Sequence, residues 1–354
     1  MTTFLQLHLL TSYPPSNLNR DDLGRPKTAI LGGATRLRIS SQSLKRAWRT
    51  SELFQSALSG HLGTRTKEMG ERVAKALRDK GVADKTARTA AEKIAAVFGK
   101  LKSAKKEEDA KVATEQLAHF SPEEVADIDA LVEKLATEKR EPREDELALL
   151  KKKHRAADIA LFGRMLADAP EYNVEAAAQV AHGITVHRVE VEDDYFSAVD
   201  DLNQGIEDRG AGHIGEAEFA AGLYYLYLCI DCDRLAENLQ RDDDLVRRSL
   251  RALTEAAATV APSGKQNSFA SRAYASYILA EKGRRQPRSL SVAFLDPIAN
   301  GDFLSSSITR LRATRDNLDK VYSAVAEESR ELDATNGQGS LTELLDFVAA
   351  PLGA

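Results

Sequence analysis

The stretch LRISSQSLKRAWRTSELFQSAL, residues 37–58, decides the fold, because its periodicity changes within a few residues. Leu37–Ile39 reads as a short strand. Ser40 or Ser41 then supplies a side-chain oxygen able to cap a helix, accepting one of the N–H groups that a first turn leaves unpaired. The helix is predicted to run through Leu53 and on to Leu58, with Leu44, Ala47, Trp48 and Ser51 on one face. Gln42, Lys45, Arg46 and Arg49 recur at i, i+3, i+4 and i+7, so they form the opposite, basic face.

Upstream, Thr3–Leu10 alternates Leu5, Leu7 and Leu9 on one face before a Ser-Tyr-Pro-Pro turn and reads as a first strand. Downstream, residues 60–180 are Ala-rich and charge-dense, almost wholly helical in pattern, with a start signal at Ser121-Pro122-Glu123-Glu124. Period two returns at Ile184–Val191 and a β-like run covers Phe219–Ile230. An amphipathic helix is expected over Arg241–Val260, a strand over Ser289–Leu295, and helices over Ser305–Leu332 and Leu341–Phe347. With the insertion removed, the order is β-α-β-β-α-β, the ferredoxin-like order also used by RNA-recognition-motif domains. The expected class is α+β. A palm is built from 1–59 and 181–354, a helical domain is inserted at 60–180, and Gly-bearing residues at about 192–218 project as an arm.

The 354 residues carry a net charge of −5 with 43% hydrophobic and 29% charged residues, which excludes disordered and collagen-like classes. The apolar start lacks a basic n-region and a small-residue cleavage site, and no uncharged apolar run reaches about 18 residues. With only Cys229 and Cys232, no disulfide framework is expected, so the expectation is a cytoplasmic protein without membrane association. The total charge hides an asymmetry. Residues 1–50 hold eight basic residues against Asp21 and Asp22, a local +6 that leaves −11 for the remainder. A basic region on an acidic body suggests a polyanionic partner for one face, although a solvated basic surface has the same signature.

The capped start with Ser40, Ser41 and Gln42 offers donors to a phosphate oxygen, and Lys45 and Arg49 follow one and two turns along. Arg20 and Lys27 on the preceding loop are placed to close the other side. Stacking groups for single-stranded nucleic acid are Tyr195 and Phe196, with Met165 after Arg164. Enzyme signatures are weak. His182 and His187 lack metal-ligand spacing, Cys229-Ile230-Asp231-Cys232 is a lone C-x-x-C, and no phosphate-binding or nucleophile-elbow motif occurs in a suitable context. No cofactor or metal is expected.

Leu18–Asp22, Arg38–Ala47, Asp158–Met165, Ala181–Thr185, Tyr195–Leu202 and Phe219–Gly222 together resemble the CasC family, the repeated backbone subunit of the type I-E CRISPR surveillance complex, Cascade. The resemblance is strong for about 8–49 and 158–228 and thin in 60–150 and after about 270. It implies a hand-like protein with palm, fingers and thumb, whose copies, usually six, polymerise head to tail along a CRISPR guide RNA with other Cascade subunits. Each thumb displaces one nucleotide in six and leaves five bases to pair with target DNA. Carried onto this chain, the resemblance implies that Arg20, Lys27, Ser40, Gln42, Lys45, Arg46 and Arg49 hold the guide backbone. Arg164 and Met165 then lie on the fingers side and Tyr195 and Phe196 on the thumb, while Lys265 and Gln266 resemble a further RNA-contacting loop. Tyr195 stands where relatives carry Trp. The implied role is non-catalytic. The rival is a guide-precursor ribonuclease of the same broader fold, for which His8, His182, His187 and His213 are the acid–base candidates.

Overall fold

The computed structural model describes residues 2–103, 111–198, 213–299 and 301–353. Its strands are β1 (Phe4–Ser16), β2 (Thr28–Leu31), β3 (Ala34–Ile39), β4 (Thr64–Thr66), β5 (Ala118–Phe120), β6 (Ala178–Val180), β7 (Gly183–Thr185), β8 (Glu192–Ala198), β9 (His213–Asp231), β10 (Ala275–Gly283) and β11 (Glu328–Asp333). The chain divides into two compact units. One is Met1–Phe54 with Gln179–Ile230 and Leu250–Ala354; the other is Gln55–Ala178 with Asp231–Ser249.

A mixed α+β unit grows around one large sheet in the order β11-β10-β1-β9-β7-β3-β2, with β6 and β8 also paired to β9. β1 runs antiparallel to β10 from Phe4↔Gly283 to Thr11↔Ala275, and β7 antiparallel to β9 through Ile184↔Tyr225. Because β1 is central, Leu5, Leu7 and Leu9 on one face and Gln6, His8 and Leu10 on the other are all buried. The buried polar pair is satisfied from neighbouring segments. Gln6 Oε1 accepts the Tyr227 hydroxyl and the Arg288 N–H, and His8 Nδ1 lies 2.8 Å from the Tyr225 hydroxyl. Leu10, Val186, Leu223, Leu279, Phe294 and Leu311 belong to one apolar cluster of this unit.

With helix α1 (Ser41–Arg49) and the helix Asp243–Thr259, the strands β1, β7, β9 and β10 follow the order β-α-β-β-α-β, and they lie in the sheet as β10-β1-β9-β7. The last strand is not where the sequence put it. Ser291–Phe294, inside the expected strand Ser289–Leu295, is a 3₁₀ turn, and Ala275–Gly283 is the strand instead. The sequence reading left that segment unassigned; it carries Glu281 and Lys282, both of which are buried. Glu281 pairs with Arg288, and Lys282 Nζ donates to the carbonyls of Phe347 and Ala350 at the end of the helix Leu341–Ala349.

Further boundaries differ from expectation: β1 runs on to Ser16, through the Ser-Tyr-Pro-Pro expected to end it at Leu10, and the strand expected over Ile184–Val191 is Gly183–Thr185. Three others follow. The helix begun at Ser41 breaks after Arg49 and restarts at Glu52, because Ser51 Oγ donates to the Trp48 carbonyl and accepts the Phe54 N–H. The helix expected over Ser305–Leu332 is Phe303–Tyr322. Ser323, at φ 68°, ends it, and β11 then pairs with β10 despite its helix-forming residues. The short strand at Leu37–Ile39 is half of a hairpin: Gly32 and Gly33, at φ 58° and 72°, form the two-residue turn between Leu31 and Ala34.

In the second unit the helices Met69–Asp79, Asp84–Ala96 and Pro122–Glu138 bury Val73, Leu77, Ile94, Phe98, Ile128 and Leu135 together. Ser121 caps the third through a reciprocal bond with Glu124, as its sequence indicates. The unit is less helical than expected, since β4 pairs with β5 and residues 139–156 hold only a 3₁₀ turn, Glu144–Leu147. Residues 231–249, read from the sequence as part of the palm, group with this unit. Of the arm expected at 192–218, residues 199–212 lie outside the described residues. The described part is the β8–β9 ribbon, in register from Glu192↔Phe219 to Ala198↔His213.

Candidate nucleic-acid interface

The basic surface of the first unit is assembled on α1. Ser40 is its cap: Ser40 Oγ accepts the Ser43 N–H at 3.3 Å, and the Ser40 N–H donates to Asn19 Oδ1 at 2.8 Å. The hydroxyl oxygen expected to meet phosphate therefore holds the helix start and ties it to the preceding loop. Leu44 and Trp48 face inward, Gln42 and Arg46 are exposed, and Lys45 and Arg49 are half-buried beside them. Partial burial pushes the Lys45 ammonium below its ordinary value of 10.5.

The loop leading to α1 is rigidly built. Asp21 Oδ1 accepts the Leu23 and Arg25 N–H groups at 3.0 and 2.9 Å, and Lys27 N–H donates to the Asn19 carbonyl at 2.8 Å. Asp21 is thereby used internally, which leaves Arg20 exposed on the loop. A cleft of about 480 Å³ lies between this loop, α1 and the turn at Ser263-Gly264, lined in part by Arg20, Ser43, Arg46, Thr50 and Gly264. The turn sits so close that a Cβ on Gly264 would fall 2.4 Å from the Leu18 carbonyl oxygen. Lys265 follows it exposed. Gln266 instead spends its amide on the turn, donating to the Pro262 carbonyl at 3.0 Å and Ser271 Oγ at 3.1 Å. It braces the loop that presents Lys265.

Not every charge counted in the N-terminal +6 reaches this surface. Arg36 is fully buried, donating to the Thr185, Phe294 and Leu295 carbonyls, and Arg25 is ion-paired to Glu218 at 3.0 Å. Arg38, which the sequence reading had only counted, joins the surface with His182. His182 Nδ1 accepts the Ser41 N–H at 3.2 Å and lies 3.4 Å from Arg38 Nη1. The sequence signal for this pair was a basic residue two positions before a helix cap and a His immediately before a strand.

The aromatic candidates occupy neighbouring positions of the β8 ribbon, Tyr195 opposite Glu216 and Phe196 opposite Gly215, so alternation sends them to different faces. Tyr195 is 64% exposed. The second unit separates Arg164 from Met165. Met165 is 76% exposed, as a stacking group requires. Arg164 corrects the expectation, because it is 5% exposed and its guanidinium is consumed internally. Nη1 donates to both Glu124 carboxylate oxygens at 2.9 and 2.7 Å, and Nη2 to the Lys151 and Tyr172 carbonyls at 3.1 Å. An arginine so enclosed holds the unit together and has no reach to a ligand phosphate.

The acid–base candidates divide similarly. His8 is fully buried between Tyr225 and Glu281. Both His187 nitrogens face backbone, Nδ1 toward the Arg188 carbonyl and Nε2 toward the Leu223 N–H. His182 is exposed on the basic surface. Among the described residues no group of three His, Cys, Asp or Glu side chains is arranged to hold a metal, and no helix is long and apolar enough to cross a membrane.

An antiparallel sheet bearing a cationic, capped helix beside a polar cleft, with a ribbon carrying exposed aromatics, defines a mixed α+β protein. The CT1975-like protein family matches residues 5–345, and the chain belongs to that family. A chain of the solved structure "CRISPR RNA-guided surveillance complex, pre-nicking" is 29% identical with a TM-score of 0.84, over 98% of this chain and 99% of that one. A chain of "CRISPR RNA-guided surveillance complex", 24% identical over the same shares of each chain with a TM-score of 0.73, shares the fold. No curated protein sequence matches.

Proposed function

We propose that this chain is a non-catalytic backbone subunit of a CRISPR RNA-guided surveillance complex of type I-E, with its basic surface along the guide RNA. The observation that carries the reading is the cationic row on α1, Lys45, Arg46 and Arg49, flanked by Arg20, Lys27 and Arg38, in a chain of this family. Sequence-blind guide binding needs backbone contacts and stacking groups, with base edges left free for target DNA. The β-α-β-β-α-β unit corresponds to a ferredoxin-like palm, the Gln55–Ala178 unit with Met165 to fingers, and the β8–β9 ribbon with Tyr195 and Phe196 to the root of a thumb. Ser40 and Gln266 position this surface, the exposed Gln42 amide and Lys265 ammonium add contacts to it, and Arg164 is left out of the contact set. Copies of the chain, six in the full assembly, stack along one guide together with the other Cascade subunits.

Lys45→Glu combined with Arg49→Glu tests this. Each lost phosphate contact should reduce the slope of log K against log salt by about 0.7 for a single strand. RNA-dependent oligomers should disappear while the circular-dichroism spectrum of the monomer is kept. Normal RNA-bound oligomers from the double variant refute the proposed face. Of the acid–base candidates, the side chain of His213 lies outside what the structure describes; among the described ones the ribonuclease reading retains His182 on the surface, and defined cleavage of precursor RNA lost in His182→Ala would favour it.

A further inference from the structure

His182 belongs to a cluster whose hydrogen bonds fix its protonation. Two donors converge on Nδ1, the Ser41 N–H at 3.2 Å and the Arg38 guanidinium at 3.4 Å, so Nδ1 carries no proton and the neutral ring holds its proton on Nε2. The charged groups that act on the ring are Arg38 on β3 and Lys27 on the loop before β2. Burial, then Arg38, then Lys27, all hold the imidazole below its ordinary value of 6.5. A phosphate leaves the burial in place and reverses the effect of the two cations. It accepts the Ser41 N–H and the guanidinium in place of Nδ1, and its charge offsets the two cations.

We propose that His182 is a proton-taking contact for the RNA backbone, binding a phosphate as an imidazolium together with Arg38 and Lys27 and making RNA binding proton-linked. This rests on the guide-binding reading above. One proton enters Nδ1 from solvent as the phosphate arrives, and the Ser41 N–H passes from the imidazole to the phosphate oxygen. A histidine raised by one pH unit on binding tightens the complex by about tenfold across its titration.

The test uses the full chain and a fluorescently labelled single-stranded RNA at fixed salt, with anisotropy read from pH 7.5 to 5.5 for the wild type and His182→Gln. Gln keeps an acceptor for the Ser41 N–H and cannot titrate. The affinity difference between the two proteins is expected to widen about tenfold over that range. Calorimetry at pH 6.5 in two buffers of different ionisation enthalpy should show proton uptake in the wild type that is lost in the variant. Equal pH slopes and equal proton uptake, with RNA still bound, overturn the role of His182 and leave the guide-binding reading standing. No RNA binding by either protein at any pH overturns both.

Discussion

Replacing Arg164 by methionine separates an interior role from an RNA-contacting one. Methionine keeps a long unbranched side chain and removes the guanidinium. Glu124 then remains buried with the Ser121 and Lys151 N–H groups on its carboxylate and no counter-charge, while the Lys151 and Tyr172 carbonyls each lose a donor. Removing one partner of a buried ion pair costs about 3–5 kcal/mol. For a unit of roughly 140 residues, the unfolding entropy is about 0.3 kcal/mol/K, so its melting midpoint should fall by about 10–17 °C. Scanning calorimetry measures that midpoint. RNA affinity, taken by anisotropy at a temperature where the variant is folded, should stay near that of the wild type. An unchanged midpoint with a large loss of RNA affinity refutes the assignment of Arg164 to the interior.

Other substitutions address the site and the sheet beneath it. Gly264→Ala drives a Cβ toward the Leu18 and Asn17 carbonyl oxygens, so the turn must move away from the cleft. A stability loss of about 1–3 kcal/mol is expected, together with weaker RNA binding in filter assays. Ser40→Ala should cost about 1 kcal/mol in urea denaturation by removing the acceptor for the Ser43 N–H. His8 is buried with its pKa lowered by desolvation, against the opposing pull of Glu281. The folded state thus favours the neutral ring, and stability is fully present above about 6.5 and declines below it, by at most about 1.4 kcal/mol per pH unit for one such group. His8→Gln should flatten that acid limb in pH-dependent melting curves.

The legible parts of this protein were those fixed by neighbours in sequence. The Ser40 and Ser121 caps and the apolar face of α1 are side-chain-to-backbone or i, i+4 relations, and both units contain them where they were expected. What misled were charges satisfied from a distance. β10 went unassigned, and it is a buried strand that carries Glu281 and Lys282, whose partners are Arg288 and the Phe347 and Ala350 carbonyls. The same cause acted on the site. Arg36 and Arg38 are alternate residues of one strand, yet one is enclosed by carbonyls and the other meets His182. Arg164 and Met165 are adjacent, and only Glu124, 40 residues earlier, draws the first inward. The positive N-terminal charge was a sound pointer to a basic surface, but how many of its members reach that surface is a property of the fold.

The central position of β1 also dictates an order of events during synthesis. Its neighbours in the sheet are β9 and β10, so Leu5, Leu7 and Leu9 have no strand partners until the ribosome has delivered residues 213–283. At typical elongation rates that interval is on the order of 15–60 s. During most of it the apolar β1 segment waits on the nascent chain, while the Gln55–Ala178 segment has already been made. The cleft, walled by residues near 20 and near 264, closes later than either neighbouring wall can fold. A chain halted before residue 263 therefore lacks the Ser263-Gly264 turn that walls this cleft.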